Sequence, residues 1–245
     1  MRGLPSLLLA AVAVARRLFL CACVVFVCYP ALGQDVAINR YTVYTGFDYT
    51  ISPSRDLTER GFDLDFGVTV KPWLGLGGDF GTFGHDIISG GGTINGSETI
   101  YATAVAAAHQ QNPTVIPPPN QISVPFTGTT YLFAVGPQFY IRKWKAVTFL
   151  ARPGLGGIHE SADLMFPPAV VPLFTALAIT PPSSHQTDTT WFVGLGGGFD
   201  INVSRRVGIR FTADWVNTHL FSNLLTDRQN YARFTVGPTW RWGTL

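Results

Sequence analysis

Cysteine is almost absent from this sequence, and the few cysteines that occur stand close to its start. Cys21, Cys23 and Cys28 all precede the point where we expect a leader peptide to be removed. The remaining chain would hold no thiol, which excludes disulfide bonds and cysteine chemistry. Charged residues are also scarce, at 13% against 47% hydrophobic residues, and this balance excludes a disordered chain.

The first part of the chain has the order of a signal peptide. Two positive charges, Arg16 and Arg17, precede an apolar run over residues 18–27. Small residues at Ala31 and Gly33 then stand where a signal peptidase reads them. The pattern predicts export, with cleavage after Gly33.

Cleavage at this position divides the chain into a signal peptide, residues 1–33, and a mature outer-membrane β-barrel domain, residues 34–245. Processing as a lipoprotein near Cys23 is an alternative, but the apolar segment before that cysteine is short. The leader carries three arginines, so the formal charge of +2 becomes −1 in the mature domain. A basic nucleic-acid-binding protein is therefore not expected.

Long apolar runs are missing beyond the leader, where none reaches the roughly 20 residues that a membrane-spanning helix needs. The chain instead contains segments of about ten residues in which apolar residues alternate with polar or small ones, as in strands with one apolar face. The predicted strands, eight in all, are 41–50, 62–71, 74–84, 131–142, 147–158, 191–202, 207–215 and 231–242.

The last of these segments shows the two faces most clearly. Phe234, Val236 and Trp240 share one face, whereas Arg233 and Thr235 share the other. A soluble barrel would turn the apolar face inward, and a membrane barrel turns it toward lipid. Glycines and charges on the second face, together with aromatic residues near strand ends, favour lipid outside.

We therefore predict an all-β fold, an eight-stranded antiparallel up-and-down transmembrane β-barrel in the bacterial cell outer membrane. Short turns would face the periplasm, and two long extracellular loops, residues 85–128 and 159–189, would lie outside the cell with residues 51–60 and 218–230. A soluble lipocalin-like binder, with the aromatic face buried, is the alternative.

The two long loops are the expected place for a surface partner. Residues 163–182 are too apolar for a solvated loop, and exposed apolar patches mark contacts. We expect this segment to fold over the barrel mouth or to dip into the outer leaflet; a protein or ligand contact is the sharper alternative. A short helix is expected over residues 100–111.

The C-terminal segment carries a motif of its own. The run Thr235-Val-Gly237-Pro-Thr-Trp240-Arg-Trp242 resembles the sorting signal recognised by the barrel assembly machinery. Gly237, Trp240 and Trp242 would form this assembly signal. Three further residues follow the last aromatic residue, which is a departure from chains that end on it.

The chain from about Tyr41 to Trp242 resembles the small outer-membrane β-barrel family related to the barrel domain of outer membrane protein A. The residues that carry the likeness are Gly46-Phe-Asp-Tyr, Trp73-Leu-Gly-Leu-Gly-Gly-Asp-Phe, Ala134-Val-Gly-Pro and Gly196-Gly-Gly-Phe-Asp-Ile-Asn-Val. The resemblance implies eight strands and a barrel that is not an enzyme. It implies no shared set of functional residues.

The interior of an eight-stranded barrel is only wide enough to be filled by side chains. The inward face of the predicted strands carries charges of both signs in similar number, which predicts a paired network that plugs the barrel. The alternative is a gated ion path along the same charges. The predicted members are Asp48, Asp63, Asp65, Asp79, Arg142, Arg152, Asp200, Arg210, Asp214, Arg233 and Arg241.

No motif in the mature chain indicates an enzyme, a metal site or a cofactor. His85, His159 and His219 could meet at the outer surface, but they lack the spacing of metal ligands. His219 and Ser222 only loosely resemble a pair found in barrel lipid A deacylases, because two residues separate them instead of one. We predict a structural or surface-interaction barrel in contact with outer-membrane lipid. A narrow porin-like channel is the alternative, and a lipid A-modifying enzyme is a third possibility.

Overall fold

The computed structural model describes residues 38–52, 57–84, 92–168, 170–177, 180–226 and 229–245. The predicted signal peptide lies outside these residues. The described strands are β1 (Asn39–Ser52), β2 (Leu57–Lys71), β3 (Leu74–Gly84), β4 (Gly92–Asn95), β5 (Ser123–Ile141), β6 (Val147–Leu164), β7 (His185–Asn202), β8 (Val207–Thr218) and β9 (Gln229–Thr244). The helices are α1 (Ala102–Gln111) and α2 (Val171–Ala176), with short 3-10 helices at Gly96–Glu98 and Pro119–Gln121. None of these helices has the length and apolar composition needed to cross a membrane.

Eight of these strands form a closed antiparallel barrel. Pairing runs from β1 through β2 to β3, passes directly from β3 to β5, and continues in chain order to β9. β9 closes the ring by pairing with β1, where Tyr41 is opposite Trp242. The short strand β4 pairs only with the first residues of β5, with Thr93 opposite Pro125. The predicted eight-stranded, all-antiparallel barrel is confirmed.

Alternation along each strand separates a polar lumen from an apolar exterior. In β2, Asp63 and Asp65 are buried inside the barrel, whereas Phe62 and Leu64 are about half exposed on the outside. The exterior also exposes Phe80, Phe133, Leu155, Trp191, Leu195, Trp215 and Trp240. Contact of such an apolar surface with lipid hydrocarbon is favourable, whereas its contact with water is unfavourable. The exterior therefore has the character of a membrane-spanning barrel.

The two ends of the barrel differ in their connections. At one end, called the turn end here, short segments at residues 72–73, 142–146 and 203–206 join the strands. At the opposite loop end, the β3–β5 connection contains β4 and α1, and the β6–β7 connection contains α2. Within the described ranges, the loop end therefore holds most of the residues that are not part of the barrel wall.

Several strands extend further toward the loop end than the sequence pattern predicts. β5 begins at Ser123, β6 ends at Leu164 and β7 begins at His185, all inside the segments predicted as long loops. Ladder pairs continue there, as between Thr127 and Asp163. Roughly 9–11 residues are enough for a strand to cross a bilayer, so these extensions stand beyond the lipid. Their outer face needs no apolar residues, and the alternation that identifies the other strands is weak in them.

The helix expected over residues 100–111 is confirmed as α1, which begins at Ala102 and ends at Gln111. The backbone N–H of Asn112 donates to Ala108 at 3.0 Å and ends the helix before the following prolines. Val105 is the one fully buried residue of this helix. One side of α1 is therefore anchored and the rest faces outward.

The ladder between β5 and β6 is interrupted near its middle. Val135 pairs with Leu155, and pairing resumes with Phe139 opposite Ala151. The prolines at 137 and 153 lie in this interval, and proline has no N–H to donate to a ladder. The two backbones nevertheless stay close, because a Cβ on Gly136 would lie 2.1 Å from the Pro153 carbonyl oxygen. The seam is tight, and glycine is required at this position.

Candidate functional sites in the lumen and the cap

Arg233 of β9 is the centre of one part of the charged lumen. Its guanidinium group lies 2.8 Å from Asp48, 3.1 Å from Asp63 and 3.4 Å from Asp79. These carboxylates come from β1, β2 and β3, so a single side chain connects four neighbouring strands. Arg233 is buried, and removing one partner from a buried ion pair costs about 3–5 kcal/mol.

Arg152 of β6 occupies the same level of the barrel from the opposite wall. It lies 3.0 Å from Asp65 and 3.5 Å from Asp79, and it donates two hydrogen bonds to Asp214. Asp79 therefore contacts both Arg152 and Arg233. This shared carboxylate makes the two halves of the lumen one network.

The network continues toward the turn end through two more arginines. Arg210 lies 2.7 Å from Asp200 and 3.5 Å from Asp65. Arg241 lies 2.8 Å from Asp200 and donates to Asn202 at 2.6 Å. Of the eleven charges that the sequence places in the lumen, the structure thus brings ten into continuous contact.

Arg142 is the predicted lumen charge that the structure does not bring into this network. β5 ends at Ile141, so Arg142 belongs to the turn and leaves the alternation of the strand. Its guanidinium group lies 4.0 Å from the centre of the Tyr140 ring and donates to the Pro72 carbonyl. Arg142 therefore links the turn at residues 142–146 to the turn at residues 72–73.

Sequence reasoning missed two carboxylates of the lumen. Glu59 accepts a hydrogen bond from Thr130 at 3.3 Å, and Glu160 accepts one from Tyr231 at 3.3 Å. Both lie in segments predicted to be external loops, although Glu59 stands in the same alternation as Asp63. With them, the described part of the lumen holds eight carboxylates and four arginines.

Neutral polar side chains fill the space between the ion pairs. Gln138 donates to Asp65 at 3.0 Å and accepts a hydrogen bond from Tyr140. Tyr44 donates to Thr235 at 2.7 Å, and the Arg210 guanidinium lies 5.6 Å from the Tyr44 ring. These contacts occupy hydrogen-bonding groups that would otherwise be left without partners away from water. The lumen is therefore a packed polar core.

The mouth of the barrel at the loop end is closed by apolar side chains, here called the mouth cluster. Leu132, Ile158 and Phe192 point inward from the strands, and residues of the β8–β9 connection pack on them. The members are Leu57, Phe83, Ile94, Phe126, Leu132, Ile158, Ala162, Leu164, Phe192, Val216, Leu220, Phe221, Leu224, Leu225 and Tyr231. This cluster lies between the ion-pair network and the loops.

Polar contacts fix the β8–β9 connection over the mouth. The Gln229 side chain donates to the Leu220 carbonyl at 2.8 Å, and the Asp188 carboxylate accepts from the Phe221 N–H. Phe221 has a φ of 52°, a backbone conformation that is uncommon for a bulky side chain. The mouth cluster buries its ring and so compensates for this conformation.

A second apolar group, the loop cluster, joins the two longest connections to each other. It consists of Val105, Ile116, Ile122, Val170 and Leu173. The apolar segment 163–182 is thus divided, with Leu164 in the mouth cluster and Leu173 of α2 in the loop cluster. We call the two clusters and the connections that carry them the cap.

The histidines do not assemble a metal site among the described residues. His159 contacts Thr189 at 2.7 Å, and His185 contacts Asp163 at 2.7 Å on the exposed surface. His85 lies outside the described part of the chain. No group of three or more potential metal ligands occurs where the chain is described.

The residues of the C-terminal motif lie on the strand that closes the barrel. Trp240 is exposed on the outside, and Trp242 stacks on Tyr41 with ring centres 6.0 Å apart. A Cβ on Gly237 would lie 2.1 Å from the Thr45 carbonyl oxygen of β1. Gly237 therefore has a packing role at the closing seam, in addition to any role in recognition.

Comparison with known proteins identifies similar solved barrel structures but no protein family. No protein-family model and no curated protein matches the chain. The attachment invasion locus protein Ail of Yersinia pestis has 14% identity and a TM-score of 0.47, over 84% of this chain and 100% of that one.

Two further solved structures have the same degree of similarity. Neisserial surface protein A has 8% identity and a TM-score of 0.46, over 82% of this chain and 96% of that one. Outer membrane protein OprG of Pseudomonas aeruginosa has 10% identity and a TM-score of 0.46, over 85% and 98%. Similarity at this level carries no conclusion about activity.

Proposed function

We propose that this chain is a bacterial outer-membrane barrel whose strands anchor a folded external cap, and that the cap is the part that interacts. In this proposal, residues 1–33 direct export and are removed. The assembly machinery recognises Gly237, Trp240 and Trp242, and the cap forms after insertion. The function is one of surface interaction and not of catalysis.

The observation that carries this proposal is the filling of the lumen. An ion-pair network spans the middle of the barrel, and the mouth cluster closes its loop end. A lumen filled in this way offers no wide aqueous path. The accessible, irregular surface of the protein is then the cap, and long connections of such barrels face outward from the cell.

Cysteine labelling on intact cells tests this orientation, because the mature domain has no cysteine of its own. Val115 in the cap is 68% exposed, and Arg205 is exposed in a turn at the other end. We expect Val115→Cys to react with a membrane-impermeant maleimide on intact cells. Arg205→Cys should react only after the cells are broken. Labelling of Arg205→Cys on intact cells would overturn the proposal.

A narrow channel is the second candidate, and one observation favours it. A space of about 420 Å³, counted with its open side, lies beside Asp79, Arg152 and Asp214. Planar-bilayer recording of the purified barrel tests this candidate. Conductance that is present in the wild type and disappears with Arg210→Ala or Asp214→Ala would favour the channel over the anchor.

A further inference from the structure

The cap contains a cavity between the mouth cluster and the loop cluster. Three connections supply its walls, including Ile94 and Val105 from β3–β5, Phe166 and Leu173 from β6–β7, and Leu224 from β8–β9. The empty volume is about 620 Å³, counted with its open mouth. The three connections therefore enclose an apolar space that opens to the outside between them.

The chemistry of the wall restricts what the cavity can hold. None of the described residues that line it is charged. The hydroxyl of Thr99 is occupied, because it donates to the Gly96 carbonyl at 2.8 Å. A charged group placed here would lose water without gaining a partner, which is strongly unfavourable. The ligand must therefore be uncharged over the part that enters.

Aromatic rings form one side of the same cavity. Phe166 and Phe174 stand at 89° to each other with ring centres 5.6 Å apart, and Tyr101 lines the cavity near them. The two phenylalanines present the edge of one ring and the face of the other, and a flat apolar molecule can pack against either one. Water in an apolar cavity finds few hydrogen-bond partners, so a ligand that replaces it gains dispersion contacts at little cost.

We propose that this cavity binds a small, uncharged molecule that is mainly aromatic or other hydrocarbon. The inference rests on the proposed function, because it assigns a ligand class to the cap that the barrel presents. It assigns the binding to Leu173 and its neighbours at the junction of three connections. The lumen charges take no part in it.

Methyl NMR of the whole barrel in lipid nanodiscs tests the proposal, with N-phenyl-1-naphthylamine as the uncharged aromatic probe. We expect saturable ring-current shifts at the methyl groups of Val105 and Leu173. The probe also dissolves in lipid, so Leu64 and Leu155 on the outside serve as references. Their shifts should grow only in proportion to the ratio of probe to lipid.

Two substitutions in α2 provide a matched pair. Leu173 is buried and lines the cavity, whereas Val171 on the same short helix is 52% exposed. Leu173→Trp should fill the cavity and weaken probe binding by about tenfold or more, which is 1.4 kcal/mol or more. Val171→Trp should bind like the wild type. A Val105→Phe variant repeats the test if Leu173→Trp disturbs the cap.

The outcomes separate this inference from the proposed function. If the shifts at Val105 do not saturate, or if the two α2 variants bind the probe equally, the cavity is not a binding site. That result leaves the surface labelling of Val115→Cys unaffected. If labelling places the cap inside the cell envelope instead, the proposed function fails whatever the probe does in nanodiscs.

Discussion

The lumen and the mouth of the barrel are both filled, but different forces fill them. In the middle, Arg152 and Arg233 hold carboxylates from several strands, and these contacts are buried and directional. At the mouth, Leu132, Phe192 and Leu220 belong to an apolar cluster whose packing excludes water. Charge pairing fixes the position of one strand against another, whereas apolar packing can adjust to a moved neighbour. The comparison indicates that the ion-pair network determines how the strands are arranged, whereas the mouth cluster closes the loop end of the barrel.

The largest expected effect comes from breaking the polar core. Arg233→Met should lower the free energy of unfolding by about 3–5 kcal/mol, because it leaves Asp48 and Asp63 buried without their cation. Urea unfolding in detergent, followed by tryptophan fluorescence, measures the change. Arg142→Met removes an arginine outside the network and should have a much smaller effect. Equal losses in the two variants would contradict the network described above.

A smaller effect is expected at the mouth. Leu220→Ala should cost about 2–3 kcal/mol locally, because loop side chains can partly close around the gap. Hydrogen exchange should become faster at the amides of residues 220–226 and remain unchanged in the middle of β9. Val115→Ala, at an exposed cap position, is the control. Unfolding of the whole barrel by Leu220→Ala would show that the mouth cluster also specifies the barrel.

The β5–β6 seam provides a finer comparison within the wall. A Cβ at Gly136 would lie 2.1 Å from a backbone oxygen, whereas the nearest atom to a Cβ at Gly154 is 3.5 Å away. Gly136→Ala should therefore lower the unfolding free energy by about 1–2 kcal/mol through overpacking. Gly154→Ala should change it little. Urea unfolding of both variants checks this, and the reverse order would mean that the seam is looser than described.

The smallest effect is expected from an exposed side-chain contact between the loop-end residues of β6 and β7. Asp163 contacts His185, and both side chains are more than half exposed. Exposed pairs contribute about 0–1 kcal/mol, so Asp163→Ala should leave unfolding almost unchanged. A higher salt concentration should remove any difference in unfolding free energy between Asp163→Ala and the wild type. The loss of unfolding free energy in Arg233→Met should persist, because salt screens buried pairs less. A loss of the same size at Arg233 and Asp163 would remove the distinction between lumen and surface.

The sequence pattern predicted the wall of the barrel because lipid imposes a strict requirement on it. Residues such as Phe62 and Phe234 must be apolar, and their neighbours must not be, so period 2 is visible in the sequence. The same alternation placed Asp63 and Arg233 in the lumen. The partners of each charge could not be predicted, because they depend on which strands face one another across the barrel.

The sequence pattern did not predict the lumen residues where the strands extend beyond the bilayer, because the outer face need not be apolar there. Glu59 and Glu160 lie in strand extensions beyond the bilayer, where the outer face carries no signal. Arg142 was placed in the lumen because it continues the alternation of Tyr140, although the strand has already ended. The cap depends on contacts between distant segments, such as the hydrogen bond from the Ile100 N–H to the Leu224 carbonyl, and no local sequence pattern predicts such contacts.

The ladder between β1 and β9 has a consequence for the order of folding. Asp48 and Arg233 are 185 residues apart in the sequence. The paired residues of this ladder have similarly long separations. Contacts of such long sequence separation form slowly. Until β9 arrives, β1 presents an unpaired edge and Asp48 has no arginine from β9. Pairing of the last strand with β1 therefore covers this edge and brings Arg233 to Asp48 at the same time.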